Sequence, residues 1–282
     1  MIEKNNTGKG AGKILYLSDL DGTLLRPEGT LSPYTAEVIN RWIKGGGLFS
    51  YATARPSFTA AKVMMEINIQ LPVIVYNGAL IKNSATNEVL YSTCFTPKEV
   101  KDIREFLTSQ GIYPIAYSFI DGRECSSHVT KYDTEGVKFQ LRRCEGDASF
   151  RHLEEEAELY KGEMFYFVCN AEETVLAHAY EILMQDKRLN LDYYRGSYSG
   201  MQWLEIMPSN ASKAKSMQVL KAMLSCDRVT AFGDGPNDVS LFEAADECYA
   251  VENAKPELKA LATAVIRSNR EDGVARWVEE NA

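Results

Sequence analysis

Short apolar runs that stop at Asp/Gly clusters alternate with capped, helix-forming stretches along the first third of the chain. Ile14-Leu15-Tyr16-Leu17-Ser18 reads as a buried strand. Ser32-Pro33 supplies an N-cap and a first-turn proline for a helix to about Lys44, which Gly45-Gly46-Gly47 stops. Leu48–Ala52 is a second strand, Ser57 to about Ile67 a second helix, and Pro72–Tyr76 a third strand. This β-α-β-α-β order predicts a parallel sheet with right-handed crossovers.

The rhythm changes after Asn77-Gly78. Ala79 to Phe95 reads as a hairpin turning near Ser84–Asn87, Pro97–Gln110 as a helix and Ile112–Ile120 as a strand. Residues 121–160 hold strand-like pieces and then a charged helix near Phe150–Tyr160. Met164–Cys169 is a strand, Glu172–Lys187 a helix, and Leu191–Tyr194 and Trp203–Met207 are strands. The first rhythm then returns. Ser212 caps a helix to about Leu224, and Val229–Phe232 is a strand ending at Gly233-Asp234. Val239–Ala245 is a helix, Cys248–Val251 a strand, Pro256–Ala262 a helix and Val265–Ile266 a last strand. The expected fold is α/β: a doubly wound parallel-sheet core, 13–83 plus 208–282, with an α+β domain, 84–207, inserted into it. Residues 1–12 are expected to be a flexible tail.

Composition narrows the partners. The 282 residues carry 31 Lys and Arg against 39 Asp and Glu, a net charge of −8. Such a surface opposes nonspecific binding to nucleic acid or anionic membrane, so neither is expected as a partner. No apolar run reaches the length of a spanning helix, and the first residues lack the apolar stretch of a secretory signal. Six scattered cysteines without a CxxC pair suit reduced thiols in a cytoplasmic protein, expected as a monomer or homodimer. The three histidines share no ligand spacing, which disfavours a zinc site. Gly8–Lys13 has phosphate-loop composition, but it precedes the first strand instead of following it.

The chemistry gathers at strand ends. Asp19 and Asp21 follow the first strand, and in an extended segment their side chains would point the same way. Thr53 and Ala54 end the second strand with a hydroxyl and backbone N–H groups. Gly233-Asp234-Gly235-Pro236-Asn237-Asp238 brings another carboxylate pair after a later strand. Lys213 sits at a helix start, where its charge opposes the macrodipole unless it pairs with Asp238 or an anion. In open α/β folds ligands bind at the carboxyl ends of the strands. Carboxylates, a threonine, a lysine and a Gly-Asp loop collected there describe a site for a hard cation such as Mg2+ and a phosphate.

These residues resemble the four motifs of the haloacid dehalogenase superfamily, in Asp19–Leu24, Ala52–Arg55, Lys213 and Gly233–Asp238. The inserted domain is similar to the α/β cap of its Cof-type hydrolases. Asn77-Gly78-Ala79, Glu252-Asn253-Ala254, Ser268-Asn269 and Glu271–Ala275 extend the resemblance. Ala54 stands where the family commonly has Gly, and Leu241-Phe242 where Met-Leu is usual. The resemblance implies a Mg2+-dependent phosphatase acting on a small phosphorylated metabolite, sugar phosphates above all. Asp19 would be the nucleophile, forming an aspartyl-phosphate. Asp21 would be the acid and then the base, and its backbone carbonyl would join Asp19 and Asp234 as metal ligands. The backbone of Leu20, Thr53 with Ala54, Lys213 and Asn237 would hold phosphoryl oxygens, and Asp238 would orient Lys213 or a metal-bound water.

Other residues stay open between two readings. Arg55 either reaches substrate or is a solvated or salt-bridging arginine, and Asn77 either contacts the leaving group or serves the turn before Gly78. Arg142, Arg143, His128, Arg195 and Tyr198 are polar candidates in the cap, each with ordinary surface as the alternative. Trp203 and Trp277 read as packing residues. Two competing functions are a phosphomannomutase-like phosphotransferase, which the compact Gly233–Asp238 loop disfavours, and a non-catalytic phospho-ligand sensor, which has no use for both Asp19 and Asp21.

Overall fold

In a computed structural model that describes residues 12–196 and 200–281, the described residues form 14 strands and nine α-helices. Residues 1–11 of the expected tail and Tyr198 lie outside the described residues. The first part runs β1 (Ile14–Ser18), α1 (Pro33–Lys44), β2 (Leu48–Tyr51), α2 (Ser57–Met64), β3 (Val73–Val75), β4 (Leu80–Lys82) and β5 (Val89–Ser92). The middle runs α3 (Pro97–Ser109), β6 (Ile115–Ile120), β7 (Arg123–Val129), α4 (Glu135–Arg143), β8 (Phe150–Leu153), β9 (Glu163–Cys169), α5 (Glu173–Leu183), β10 (Leu189–Arg195) and β11 (Gln202–Pro208). The last part runs α6 (Lys213–Leu224), β12 (Arg228–Gly233), α7 (Val239–Ala244), β13 (Glu247–Val251), α8 (Pro256–Leu261), β14 (Ala264–Ile266) and α9 (Gly273–Asn281).

The core sheet is parallel, in the order β14-β13-β12-β1-β2. Its central strands are covered on both faces and so read as nearly unbroken apolar runs: Leu15, Leu17, Val229, Ala231 and Phe232 are all fully buried. Strand order reverses at β1, and of the core helices α1 packs with α9 while α7 packs with α6 and α8. Ser32 Oγ accepts from the Thr35 N–H at 3.0 Å, the cap expected of α1. Because β1, β2 and β12 run the same way, their last residues open on one edge of the sheet, at the switch point where Asp19 N–H bonds to the Phe232 carbonyl.

The third strand departs from expectation. β3 meets the parallel sheet through a single bridge, Ala52 to Ile74, and otherwise begins an antiparallel sheet β3-β4-β5. The strand ends at Val75 because Tyr76 and Asn77 turn left-handed. The cap is a six-stranded sheet, β10-β11-β9-β6-β7-β8, antiparallel except for the β7–β8 pair. The helix expected near Phe150–Tyr160 is instead strand β8 followed by a 3-10 turn at Glu156–Glu158. Pairing of Phe150–Leu153 with β7 overrides the helical propensity of the glutamates beside it. Two helices were missed. Thr134 caps α4 through the Val137 N–H at 3.1 Å, and α9 starts after a left-handed Asp272 and carries Trp277 onto Tyr16, Phe232 and Tyr249. Trp277 is thus a packing residue, as read. Among the described residues no helix is long and apolar enough to cross a membrane.

Candidate active site

Asp19 leaves β1 and the chain turns at once. Leu20–Leu24 is a tight π-type turn rather than an extended strand, broken by Gly22 at φ +86°. A Cβ on Gly22 would lie 2.3 Å from an Asp234 carboxylate oxygen, so only glycine lets the two loops approach. Thr23 completes the contact, donating from Oγ1 to Asp234 Oδ1 at 3.0 Å. Leu20 is buried in the core, so any contact it makes with ligand is through its backbone.

Lys213 is the cation of the site. The first turn of α6 places its side chain, 1% exposed, with Nζ 2.6 Å from Asp19 Oδ1 and 2.7 Å from Asp238 Oδ1. Asp238 uses its second oxygen to accept the N–H groups of Asp234 at 3.0 Å and Gly235 at 3.1 Å. It therefore orients Lys213 and closes its own loop at once. Burial alone would favour a neutral lysine, but Asp19 and Asp238 outweigh it and keep the ammonium charged. Three carboxylates share this one cation. Burial, with Asp238 and Asp234 nearby, raises Asp19 above the usual carboxylate range despite Lys213, and burial with Asp238 pushes Asp234 up to about 7.

Asp19, Asp234 and Asp238 each bring an oxygen within 4.8 Å of the others. Both oxygens of Asp238 are engaged by Lys213 and the loop, which leaves Asp19 and Asp234 as side-chain donors for a cation. Hard oxygen donors, excess negative charge and the cradle kept open by Gly22 all fit Mg2+. The side chain of Asp21 is elsewhere. Arg55 grips both its oxygens at 2.6 Å, a bidentate pair in which the arginine is 7% exposed. Of the two readings of Arg55, carboxylate pairing is the one observed. Thr53 holds its backbone N–H on the Ile74 carbonyl, so it offers the site its hydroxyl and not the N–H expected from sequence. That hydroxyl accepts the Arg55 N–H at 3.1 Å.

Above these residues lies a cavity of about 260 Å³ that reaches the cap. Asp19, Asp21, Thr53, Ala54, Asp234 and Asn237 line its core side. Arg143 and Arg195 line the cap side, whereas Arg142 is absent from the lining and His128 is buried against the Pro114 carbonyl. Trp203 lines the cavity as well as packing, a role sequence reading withheld.

The cap floor holds two carboxylates that sequence reading passed over. Asp192 and Glu205 face each other across β10 and β11. Burial and the opposing Asp192 push Glu205 up to about 8, and burial pushes Asp192 up to about 6. Glu205 accepts from the hydroxyls of Tyr166 and, at 2.7 Å, Tyr194. Each carboxylate sits alone in an apolar strand segment, Leu191-Asp192-Tyr193 and Leu204-Glu205-Ile206, and that isolation was the available signal. Asn77 is buried between core and cap and bonds Glu205 and Asn237.

A family model of haloacid dehalogenase-like hydrolases matches residues 16–278, and the chain belongs to that family. A 5-amino-6-(5-phospho-D-ribitylamino)uracil phosphatase of Bacillus subtilis is 29% identical over 93% of this chain and 96% of its own. A second B. subtilis phosphatase of that description is 25% identical over 94% of this chain and 96% of its own. The fold matches a haloacid dehalogenase-like hydrolase from Bacteroides thetaiotaomicron with TM-score 0.79 at 22% identity, covering 96% of this chain and 99% of the other.

Proposed function

We propose that this phosphatase is Mg2+-dependent and hydrolyses small phosphomonoesters, sugar phosphates or related metabolites, through an aspartyl-phosphate on Asp19. The observation that carries the reading is the Lys213 ammonium set 2.6 Å from Asp19 at the switch point of the sheet, where Asp19 itself lines the cavity. The ammonium orients the nucleophile and offsets the repulsion between its carboxylate and an incoming phosphoryl group.

Asp19 and Asp234, with the backbone carbonyl of Asp21, would hold Mg2+, whose charge lowers the cost of bringing a phosphate to these carboxylates. The Thr53 hydroxyl, the backbone of Leu20 and Ala54, Lys213 and the Asn237 amide hold the phosphoryl oxygens. An oxygen of Asp19 bonds to phosphorus as the ester P–O bond breaks, and Asp21 gives its proton to the departing alkoxide. Asp21, now a carboxylate, takes a proton from water as that water attacks phosphorus and the bond to Asp19 breaks. The Arg55 fork suits Asp21 in the second step. For the first step one Asp21 oxygen must leave Arg55 and carry a proton.

The cavity volume suits a metabolite, and the B. subtilis relatives are named for a substrate whose phosphate sits on a ribityl chain. We assign 13–83 and 208–282 to the catalytic core and 84–207 to the cap, with the β4–β5 hairpin spanning the first boundary. Six free cysteines support a reducing, cytoplasmic setting, with a monomer or homodimer as the working unit. A panel of phosphomonoesters assayed with MgCl2 and with EDTA tests the reading. Phosphate release that EDTA abolishes is expected, and release indifferent to EDTA would overturn the metal dependence.

A further inference from the structure

Three consecutive residues at the end of β3 are left-handed: Tyr76 at φ +52°, Asn77 at +50° and Gly78 at +93°. For a tyrosine that backbone is strained, and strain of this kind persists only where its surroundings over-determine it. All three residues are indeed tied down. The Tyr76 hydroxyl donates to Glu124 of the cap strand β7 at 2.5 Å. A Cβ on Gly78 would lie 2.3 Å from the Ser212 carbonyl oxygen, and the Gly78 carbonyl accepts from Ser216 Oγ at 2.6 Å. The turn is thus pressed against the start of α6, next to Lys213.

Asn77, between them, faces both domains. Its Nδ2 donates to Glu205 Oε2 at 2.9 Å and to the Tyr166 hydroxyl at 3.1 Å, with Asp192 Oδ2 at 3.4 Å, all on cap strands. Its Oδ1 accepts from Asn237 Nδ2 of the core at 3.0 Å. The amide orientation is set by its neighbours, because a flip would turn its oxygen toward Asp192 and toward Glu205 Oε2, which already accepts from Tyr166, and its nitrogen toward the Asn237 nitrogen. Asn237, whose terminal torsion is otherwise broad and nearly two-fold, inherits that choice and is held nitrogen-first.

We propose that Asn77 is a positioning residue: it fixes the Asn237 amide for the phosphoryl oxygens, and it does so through a bond chain anchored in the cap, so that the phosphate end senses whether the cap sheet is docked. The inference rests on the proposed function, which gives Asn237 its phosphoryl contact. It moves Asn77 away from the leaving group, since its donors are spent on Glu205 and Tyr166.

The test uses Asn77→Gly, Asn237→Ala, their double variant and Tyr166→Phe in the full chain. Glycine accepts the left-handed backbone at position 77, so the variant removes the side chain without adding strain. The readout is binding of inorganic phosphate in MgCl2 by calorimetry, alongside phosphate inhibition of p-nitrophenyl phosphate turnover and the melting midpoint. Asn77→Gly should weaken phosphate about tenfold, the scale of one hydrogen bond to a charged group. In the Asn237→Ala background the same change should have an effect below about twofold, because its route is gone. Tyr166→Phe should weaken phosphate in the same direction, by no more than Asn77→Gly does.

Equal effects of Asn77→Gly with and without Asn237 would overturn the route, and a lowered melting midpoint with unchanged phosphate affinity would reduce Asn77 to a structural tie. Unchanged phosphate affinity in Tyr166→Phe would remove the cap from the chain of contacts. A wild type that binds phosphate yet hydrolyses no ester would sink the catalytic reading while the positioning result stood on the calorimetry.

Discussion

Lys213 and Asp19 stand 194 residues apart in the chain, and their side chains meet at 2.6 Å where only 1% of the lysine is exposed. The contact joins the first and last parts of the core and supplies the one buried ammonium among three acidic groups. Lys213→Met keeps much of the volume and removes the charge, leaving Asp19 and Asp238 buried without it. Breaking a buried pair in this way costs about 3–5 kcal/mol, so the melting midpoint should fall by roughly 10 °C. Turnover should fall about 10²–10³-fold, as when a preorganised charge is removed from a reacting centre. A midpoint matching wild type in calorimetric melts would show that the pair is not structural.

Gly22 and Asp234 test the cation cradle. In Gly22→Ala the added methyl would lie 2.3 Å from an Asp234 carboxylate oxygen and displace that side chain, at a backbone angle that alanine disfavours. The expected result is a rise of about tenfold or more in the MgCl2 concentration for half-maximal activity, since each 1.4 kcal/mol of lost binding is tenfold. An unchanged magnesium titration would place the cation elsewhere.

Arg55→Lys preserves charge but not the planar fork that holds both oxygens of Asp21. If Asp21 performs the proton transfers, its misplacement should lower kcat about 10²-fold, at the modest end of general acid–base effects. Inorganic phosphate should inhibit the variant as it does wild type. Matching kcat values would detach Arg55 from the chemistry.

Much of this was legible in the sequence, and what failed has a common cause. Asp19, Thr53, Lys213 and Asp234 were found because each follows a strand or opens a helix within a short local window, and parallel topology then delivers those windows to one edge. The Asn77 bridge and the Asp192–Glu205 floor depend on contacts between domains or on strand register. Nothing near Asn77 in sequence says that Glu205, 128 residues away, will meet it. Strand β8 and helix α9 were lost for a related reason, since pairing with β7 and packing of Trp277 on Tyr16 decide them.

Glu205 gives the protein a pH signature. Its folded-state value of about 8 lies above the 4.5 of an unperturbed glutamate, so between those values the folded chain holds a proton that the unfolded chain has lost. Stability should therefore decline as pH rises through that window, the stabilising contribution being complete only below it. Glu205→Gln carries no titrating proton. Melting midpoints of wild type and variant should lie close at pH 5 and separate in favour of the variant by pH 8. A gap that stays constant from pH 5 to pH 8 would exclude Glu205 as the titrating group.

If Asp19 supplies the oxygen that bonds to phosphorus, Asp19→Asn removes that nucleophile with almost no change in shape. Steady-state phosphate release is measured from the best phosphomonoester in MgCl2, wild type beside variant. Turnover is expected in wild type and none above background in Asp19→Asn, because an amide cannot form the aspartyl-phosphate. Sustained, stoichiometrically catalytic release by a pure Asp19→Asn preparation would contradict that role for Asp19.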